Sequence, residues 1–117
     1  MPTTPMTEKT ETPLAERRCT PCRGGTPPLS GAELAGLQNQ LPGWETIEGR
    51  QITKTFRFAD FVEALDFVNR IGDLAERQRH HPDIYLSWGK VRVELSTHRI
   101  GGLSESDFIL AAMIDRL

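Results

Sequence analysis

The sequence predicts an α+β fold in which a four-stranded antiparallel sheet has helices packed on one of its faces. Apolar residues recur at helical spacing in one long segment and alternate in two pairs of short segments, and the predicted elements follow the order α-β-β-α-β-β-α. Two hairpins joined by a helix are typical of an antiparallel sheet that is covered on one side. The chain has 117 residues, the length of one domain.

The first two helices are predicted from their capping residues. Ser30 and Glu33 form the pattern of a capping box, and the helix they begin should run to about Gln40. A longer helix should begin after Asp60, with Glu63 in its first turn. Five apolar residues recur along it at helical spacing: Phe61, Leu65, Val68, Ile71 and Ala75.

The first predicted hairpin lies in WETIEGRQITKTFRF, around the turn at residues 48–50. Ile52, Lys54, Phe56 and Phe58 share one face of its second strand, so Lys54 is an exception or lies near an edge.

The second hairpin lies in DIYLSW and KVRVELS, about Gly89. Its alternation directs Val91, Val93 and Leu95 inward, and Arg92 and Glu94 outward. The chain ends in a helix predicted to be capped by Ser104.

Residues 1–28 differ in composition from the rest of the chain. They contain six of the eight prolines and almost no periodic apolar pattern, so they cannot bury enough surface to offset their ordering entropy. We expect a mobile or loosely docked Pro/Thr-rich arm over 1–28, and one folded domain over 29–117. The two cysteines, Cys19 and Cys22, lie in this arm as a C-x-x-C pair.

Charge and hydropathy exclude several functions. The net charge is −2 and no basic block occurs, which argues against nucleic-acid binding. The longest apolar run, FILAAMI, is too short to span a membrane, and no signal-peptide pattern begins the chain. We therefore expect a cytoplasmic protein without a membrane partner. A sheet covered on one side leaves open edges and a modest core, which favours a homo-oligomer.

The three histidines all lie at the ends of predicted elements. His80 and His81 precede Pro82, which ends the long helix because the residue before proline is pushed out of the helical region. His98 follows the last strand, so it meets the other two if the second hairpin packs against that helix. Imidazole titrates near neutral pH, and several around one cleft indicate a proton-transfer site.

Each candidate also has a purely structural interpretation. His80 could complement a helix dipole, His98 could be a surface residue, and Asp107 could be a capping carboxylate three residues after Ser104. Glu76 could be a solvated charge. Zinc is the rival reading of the histidines, but His80-His81 lacks one-face spacing and the chain has only one thiol pair.

Seven residues between positions 76 and 107 form a spaced pattern: Glu76, His80, His81, Pro82, Trp88, His98 and Asp107. This pattern resembles the signature of the pterin-4a-carbinolamine dehydratases. The flanking segments HHPDIYLSWGKVRVELSTH, GGLSESD, LPGW and FRFADFVEALDFVNRI are similar to that family too. The resemblance covers residues 29–117, and the arm motif CTPCRGGTPPL resembles the leader of many bacterial members.

The resemblance implies dehydration of 4a-hydroxytetrahydrobiopterin to the quinonoid dihydropterin, which recycles the cofactor of aromatic amino-acid hydroxylases. Such acid–base work needs no metal, nucleotide or other cofactor. It also implies a homodimer or homotetramer. A binding or assembly protein of the same fold is the alternative, since some relatives have such roles.

Matched position by position, His80, His81 and His98 become catalytic histidines. His81 and His98 would flank the pterin as acid and base, in an order left open, while His80 orients or binds substrate. The remaining signature residues are expected to support substrate binding: Pro82 by fixing the turn, Asp107 by holding a histidine or the pterin, and Glu76 more remotely. Some members carry arginine just before the acid, where this chain has Ser106, which leaves substrate affinity and side-chain preference open.

Overall fold

The computed structural model describes residues 13–20 and 26–117. Its helices and strands follow the predicted order, and the four strands form one antiparallel sheet in the spatial order β1-β2-β4-β3. The elements are α1 (Gly31–Asn39), β1 (Glu45–Ile47), β2 (Gln51–Arg57), α2 (Phe61–Gln78), β3 (Asp83–Ser87), β4 (Lys90–Leu95) and α3 (Glu105–Asp115). The predicted α+β fold is therefore confirmed.

The two hairpins meet in the middle of the sheet. Strands β2 and β4 pair in antiparallel register, with Ile52 opposite Leu95 and Phe56 opposite Val91. As the alternation predicted, Val91 and Leu95 are fully buried and Arg92 is exposed on the opposite face. Helices α2 and α3 cover the apolar face, so the core lies between that face and the helices.

Lys54 lies on the apolar face, and the structure explains why it is tolerated there. Its ammonium forms an ion pair with Asp115 at 2.7 Å and lies 4.8 Å from the centre of the Phe56 ring. The indole of Trp44 donates to the other oxygen of Asp115 at 3.1 Å. Asp115 therefore joins the end of α3 to the first hairpin.

Helix α2 buries only part of the predicted stripe, and Val68 of that stripe is half-buried against the core. Ile71 and Ala75 are buried as expected, but Phe61 and Leu65 each remain 40% exposed. Ala64, Phe67 and Leu74 are also buried. The helix has apolar residues on two adjacent faces, and packing on the sheet selects one of them.

Over 13–20 and 26–117, no helix has the length and apolar character that crossing a membrane requires.

The predicted caps form at two of the three helices. Asp60 accepts a hydrogen bond from the Glu63 N–H at 2.9 Å, and Asp107 accepts one from the N–H of Ser104, also at 2.9 Å. The capping box predicted at Ser30 was wrong, because that side chain makes no capping hydrogen bond, although helix α1 does begin directly after it.

Part of the N-terminal arm is docked on α3. Leu14, in a short 3-10 turn, is only 4% exposed and belongs to the core. Arg17 forms an ion pair with Glu105 at 2.6 Å. Burial of Leu14 contributes to the docking of 13–20, which the composition of the arm concealed. The mobility of the arm and the domain boundary at residue 29 stay predictions, and Cys22 lies outside the described residues.

The second hairpin depends on the close approach of Gly89 to the end of β2. Gly89 has a φ of 63°, and a Cβ there would lie 2.9 Å from the carbonyl oxygen of Phe58. The Phe58 N–H donates to the Gly89 carbonyl at 2.8 Å, which fixes this distance. Gly49 has a φ of 68° but open space around it.

We expect Gly89→Ala to destabilise the protein more than Gly49→Ala. Both substitutions place alanine at positive φ, which costs about 1 kcal/mol, but only Gly89→Ala adds a clash with backbone, for a total of about 2–4 kcal/mol. Urea unfolding of the two variants measures the difference. Equal loss of stability would contradict the close approach.

Candidate active site

The end of α2 turns the histidine doublet away from the helix axis. Arg79 takes the left-handed conformation, with a φ of 54°, and closes the helix. The N–H of His80 still donates to the carbonyl of Ala75 at 3.2 Å, so the backbone of His80 stays tied to the last turn. His81 precedes Pro82, which directs the chain into β3.

His98 begins a 3-10 turn that follows β4. The turn is closed by the bridge between Thr97 and Gly102, with an N–H···O distance of 2.7 Å, and by Gly101 at a φ of 68°. Strand β4 pairs with β3, which starts directly after the histidine doublet. The pairing therefore carries the end of β4 toward the end of α2.

The three imidazoles line one open pocket of about 290 Å³. The lining residues are Thr20, Arg79, His80, His81, Ser96, Thr97, His98 and Arg99. The structure thus brings the three predicted histidines together. Glu76, Pro82 and Asp107 lie outside the lining. Glu76 contacts His81, and Asp107 contacts His80. The catalytic and substrate-binding roles given to these residues stay predictions.

Asp107 is a fully buried carboxylate in the first turn of α3. One oxygen contacts His80 Nε2 at 2.6 Å. The other accepts from the Ser104 N–H at 2.9 Å and from the Thr97 hydroxyl at 2.8 Å. Because that proton of Thr97 is used, the Ser104 hydroxyl donates to Thr97 Oγ1 at 2.8 Å. The capping role and the histidine contact predicted for Asp107 therefore coexist.

The contact with Asp107 assigns the tautomer of His80. An ionised carboxylate only accepts hydrogen bonds, so the proton lies on Nε2 and the neutral ring keeps Nδ1 as an acceptor. The His80 side chain is 15% exposed, so its ring is held between the buried carboxylate and the pocket. A ring fixed by a carboxylate in this way is suited to binding or proton transfer with a defined nitrogen.

The other two imidazoles have looser surroundings. His81 Nε2 contacts Glu76 at 2.6 Å, and both side chains are more than half exposed. Glu76 therefore partners His81 across the last turn of α2, at a site where water screens the pair. His98 is exposed at the start of its turn. The site thus combines one imidazole that is fixed with two that are accessible from solvent.

The N-terminal arm reaches the same pocket, which sequence analysis missed. Thr20 lines the pocket, and its backbone N–H and carbonyl both bond to the Ser106 hydroxyl, at 2.9 and 3.0 Å. The neighbouring Cys19 N–H donates to Gln78 at 3.1 Å. Two signals were available: the resemblance of the arm motif CTPCRGGTPPL to the leader of bacterial family members, and the departure from the family pattern at Ser106. Neither indicated that the two segments are in contact.

The thiol of Cys19 reports on this docked arm. Burial, followed by the nearby negative charge of Asp107, raises the pKa of Cys19 from 9.0 to about 11. Its Sγ lies 3.5 Å from the Ser106 carbonyl oxygen. A thiol with this pKa stays protonated and unreactive near neutral pH, as expected for a packed cysteine.

Within 13–20 and 26–117, no three potential metal-ligating side chains are grouped to hold an ion.

Three imidazoles around a pocket, one of them fixed by a buried carboxylate, define a site with acid–base character on an α+β scaffold. The chain belongs to the pterin 4 alpha carbinolamine dehydratase family, whose model matches residues 27–117. The family resemblance found in the sequence is therefore confirmed.

Two relatives are provisionally named pterin-4-alpha-carbinolamine dehydratases. The protein from Rubrobacter xylanophilus is 57% identical over 104 residues, which is 89% of this chain and 97% of the relative. That from Alkaliphilus metalliredigens is 51% identical over 104 residues, 88% of this chain and 94% of the relative. The described pocket thus belongs to a chain that matches such relatives over nearly their whole length.

Solved structures agree on the fold. A transcriptional coactivator/pterin dehydratase from Brucella melitensis matches with a TM-score of 0.71 and 32% identity, over 76% of this chain and 96% of that chain. A pterin dehydratase-like RuBisCO assembly factor of the alpha-carboxysome matches at 21% identity with a TM-score of 0.55, over 63% and 87% of the two chains. The second likeness extends to the fold alone.

Proposed function

We propose that this protein dehydrates a pterin-4a-carbinolamine, such as 4a-hydroxytetrahydrobiopterin, to the quinonoid dihydropterin. In this reaction the C4a–O bond breaks, the departing hydroxide takes a proton and leaves as water, and N5 loses its proton as the C4a=N5 bond forms. One group must therefore give a proton and another must take one. The convergence of all three imidazoles on one pocket, in a chain of this family, is the observation that carries the proposal.

The roles follow from how each ring is held. His80 is fixed by the buried carboxylate and presents one defined ring nitrogen, so it binds and orients the pterin. His81 and His98 are solvent-accessible, and the two flank the bound ring as general acid and general base. Either order satisfies the proton balance. Asp107 is a positioning residue that acts through His80, and Glu76 steadies His81.

We expect His81→Ala and His98→Ala each to slow dehydration by about 10²–10⁴-fold, the usual contribution of one acid–base group. Both side chains are exposed, so the free energy of unfolding should change little. The ultraviolet change on carbinolamine breakdown, after subtraction of the rate in buffer alone, measures the loss.

The matched control is Asp83→Ala, which removes an exposed side chain near the doublet and outside the pocket lining. It should leave the rate unchanged. Wild-type rates in both histidine variants would contradict the proposed chemistry, and a wild type no faster than buffer would contradict the proposed activity.

The alternative is a binding or assembly role without catalysis. The RuBisCO assembly factor illustrates such a role on this fold, but its likeness to the present chain is limited to the fold. Retention of three histidines on one pocket, with Asp107 behind His80, supports the enzymatic proposal instead. The expected cytoplasmic location stays a prediction, as does the expected absence of nucleic-acid partners.

We further propose that copies of the chain associate through apolar surface beside the sheet. On α2, Phe61 and Leu65 are 40% exposed and Val62 is 72% exposed, and Trp88 at the second turn is also 72% exposed. Among the strands of residues 13–20 and 26–117, β3 lies at the edge of the sheet and pairs on one side only. Exposed apolar side chains next to an open edge support a homo-oligomer.

Sedimentation equilibrium should therefore give two or four times the 13.1 kDa mass of one chain. Val62→Glu should reduce the assembly, because the interface would bury an unpaired charge. Arg50→Glu, a charge change at an exposed turn, serves as the control and should leave the mass unchanged. A wild type that sediments as a monomer at micromolar concentration would contradict the proposal.

A further inference from the structure

The arm segment at residues 17–20 lies along α3, and its Thr20 lines the pocket. Its first contact is the ion pair of Arg17 with Glu105, and its last is the paired hydrogen bonds between Thr20 and Ser106. The next residue of the helix is Asp107, which holds His80. Three consecutive residues in the first turn of α3 therefore contact the arm and a predicted catalytic histidine: the first two contact the arm, and the third contacts His80.

Backbone groups of the arm are hydrogen-bonded to side chains of two helices where the arm meets the pocket. The N–H of Cys19 donates to Gln78 at the end of α2, and the N–H of Thr20 donates to Ser106. Ser106 is 3% exposed and returns its own hydroxyl proton to the Thr20 carbonyl. Two successive backbone N–H groups are thus satisfied by side chains from two helices, which holds this piece of chain at a fixed position.

Thr20 is the part of the arm that faces the site. It lines the pocket together with the three histidines, although it lies about sixty residues away from His80 in the chain. Ser106 does not line the pocket, so its effect on a ligand passes through Thr20. Ser106, which stands where some family members have arginine, is therefore the residue that anchors the arm in this structure.

We propose that Thr20 forms a wall of the pterin site and that Ser106 is the positioning residue that holds this wall in place. The inference rests on the proposed function for the identity of the ligand. If a bound pterin contacts the docked arm, docking strengthens pterin binding, and by linkage pterin binding strengthens docking to the same extent. Arm docking and pterin binding are then two equilibria joined by one coupling free energy.

The test compares Ser106→Ala with wild type in kinetics. Loss of two hydrogen bonds releases Thr20, so KM for the carbinolamine should rise by about tenfold while kcat stays within about twofold. Ser30→Ala is the matched control, because that serine makes no capping hydrogen bond and lies outside the pocket lining. Gln78→Ala, which loosens the arm at Cys19, should raise KM in the same direction.

A thiol assay follows the arm without turnover. In a Cys22→Ser background, Cys19 is the one thiol of the chain, and release from its half-buried, pKa-raising position should speed its alkylation by iodoacetamide. Ser106→Ala should speed alkylation by about tenfold. A stable dihydropterin at saturating concentration should slow alkylation of the wild-type arm several-fold, and Ser30→Ala should behave as wild type.

The outcomes separate the two proposals. A wild type without dehydratase activity overturns the proposed function, while protection of Cys19 by the dihydropterin would still support the arm wall. An active wild type with an unchanged KM in Ser106→Ala overturns the arm wall and leaves the dehydratase proposal standing. Absence of dihydropterin protection also overturns the arm wall, whether or not turnover is found.

Discussion

The buried carboxylate of Asp107 is the interaction on which the rest of the site depends. A charge without exposure to water is tolerated only when hydrogen bonds replace its hydration. Here the replacements are the Ser104 N–H at the start of α3, the Thr97 hydroxyl after β4, and the His80 ring after α2. Satisfying one carboxylate therefore requires the ends of three elements to meet at one place.

This requirement links folding to chemistry. The same hydrogen bonds that cap α3 also fix the orientation and the proton position of His80, so the ring cannot rotate without leaving a buried charge unsatisfied. Thr97 leads directly into the turn that carries His98, and the α2 end that carries His80 continues into His81. The pocket is thus assembled by constraints that also stabilise the fold.

Local signals in the sequence predicted most of this arrangement. Capping residues located two helix starts, alternation placed Val91 and Leu95 inside, and the proline after the doublet indicated the turn that exposes His81. Convergence of His98 with the doublet was a conditional inference, since it needed the second hairpin to pack near the end of α2. The pairing of β3 with β4 supplies that condition.

The remaining features depend on tertiary contacts that no local pattern encodes. Helix α2 offers two adjacent apolar faces, and only the sheet decides that Phe67 is buried while Leu65 stays exposed. Leu14 is buried in the core, although the arm around it has the composition of a disordered segment. The hydrogen bond between Thr20 and Ser106 joins residues far apart in the sequence, so the residue types at these two positions did not predict it.

The most direct test of this account is the rate of carbinolamine dehydration by Asp107→Asn. The amide keeps the shape and can still accept from Ser104 and Thr97, but its NH₂ group faces His80 and drives the ring proton from Nε2 to Nδ1. The account predicts a rate loss of about 10²-fold, because His80 then presents the wrong nitrogen to the pterin, and the ring-nitrogen NMR shifts of His80 report the moved proton. A variant that dehydrates at the wild-type rate despite the altered tautomer would contradict it.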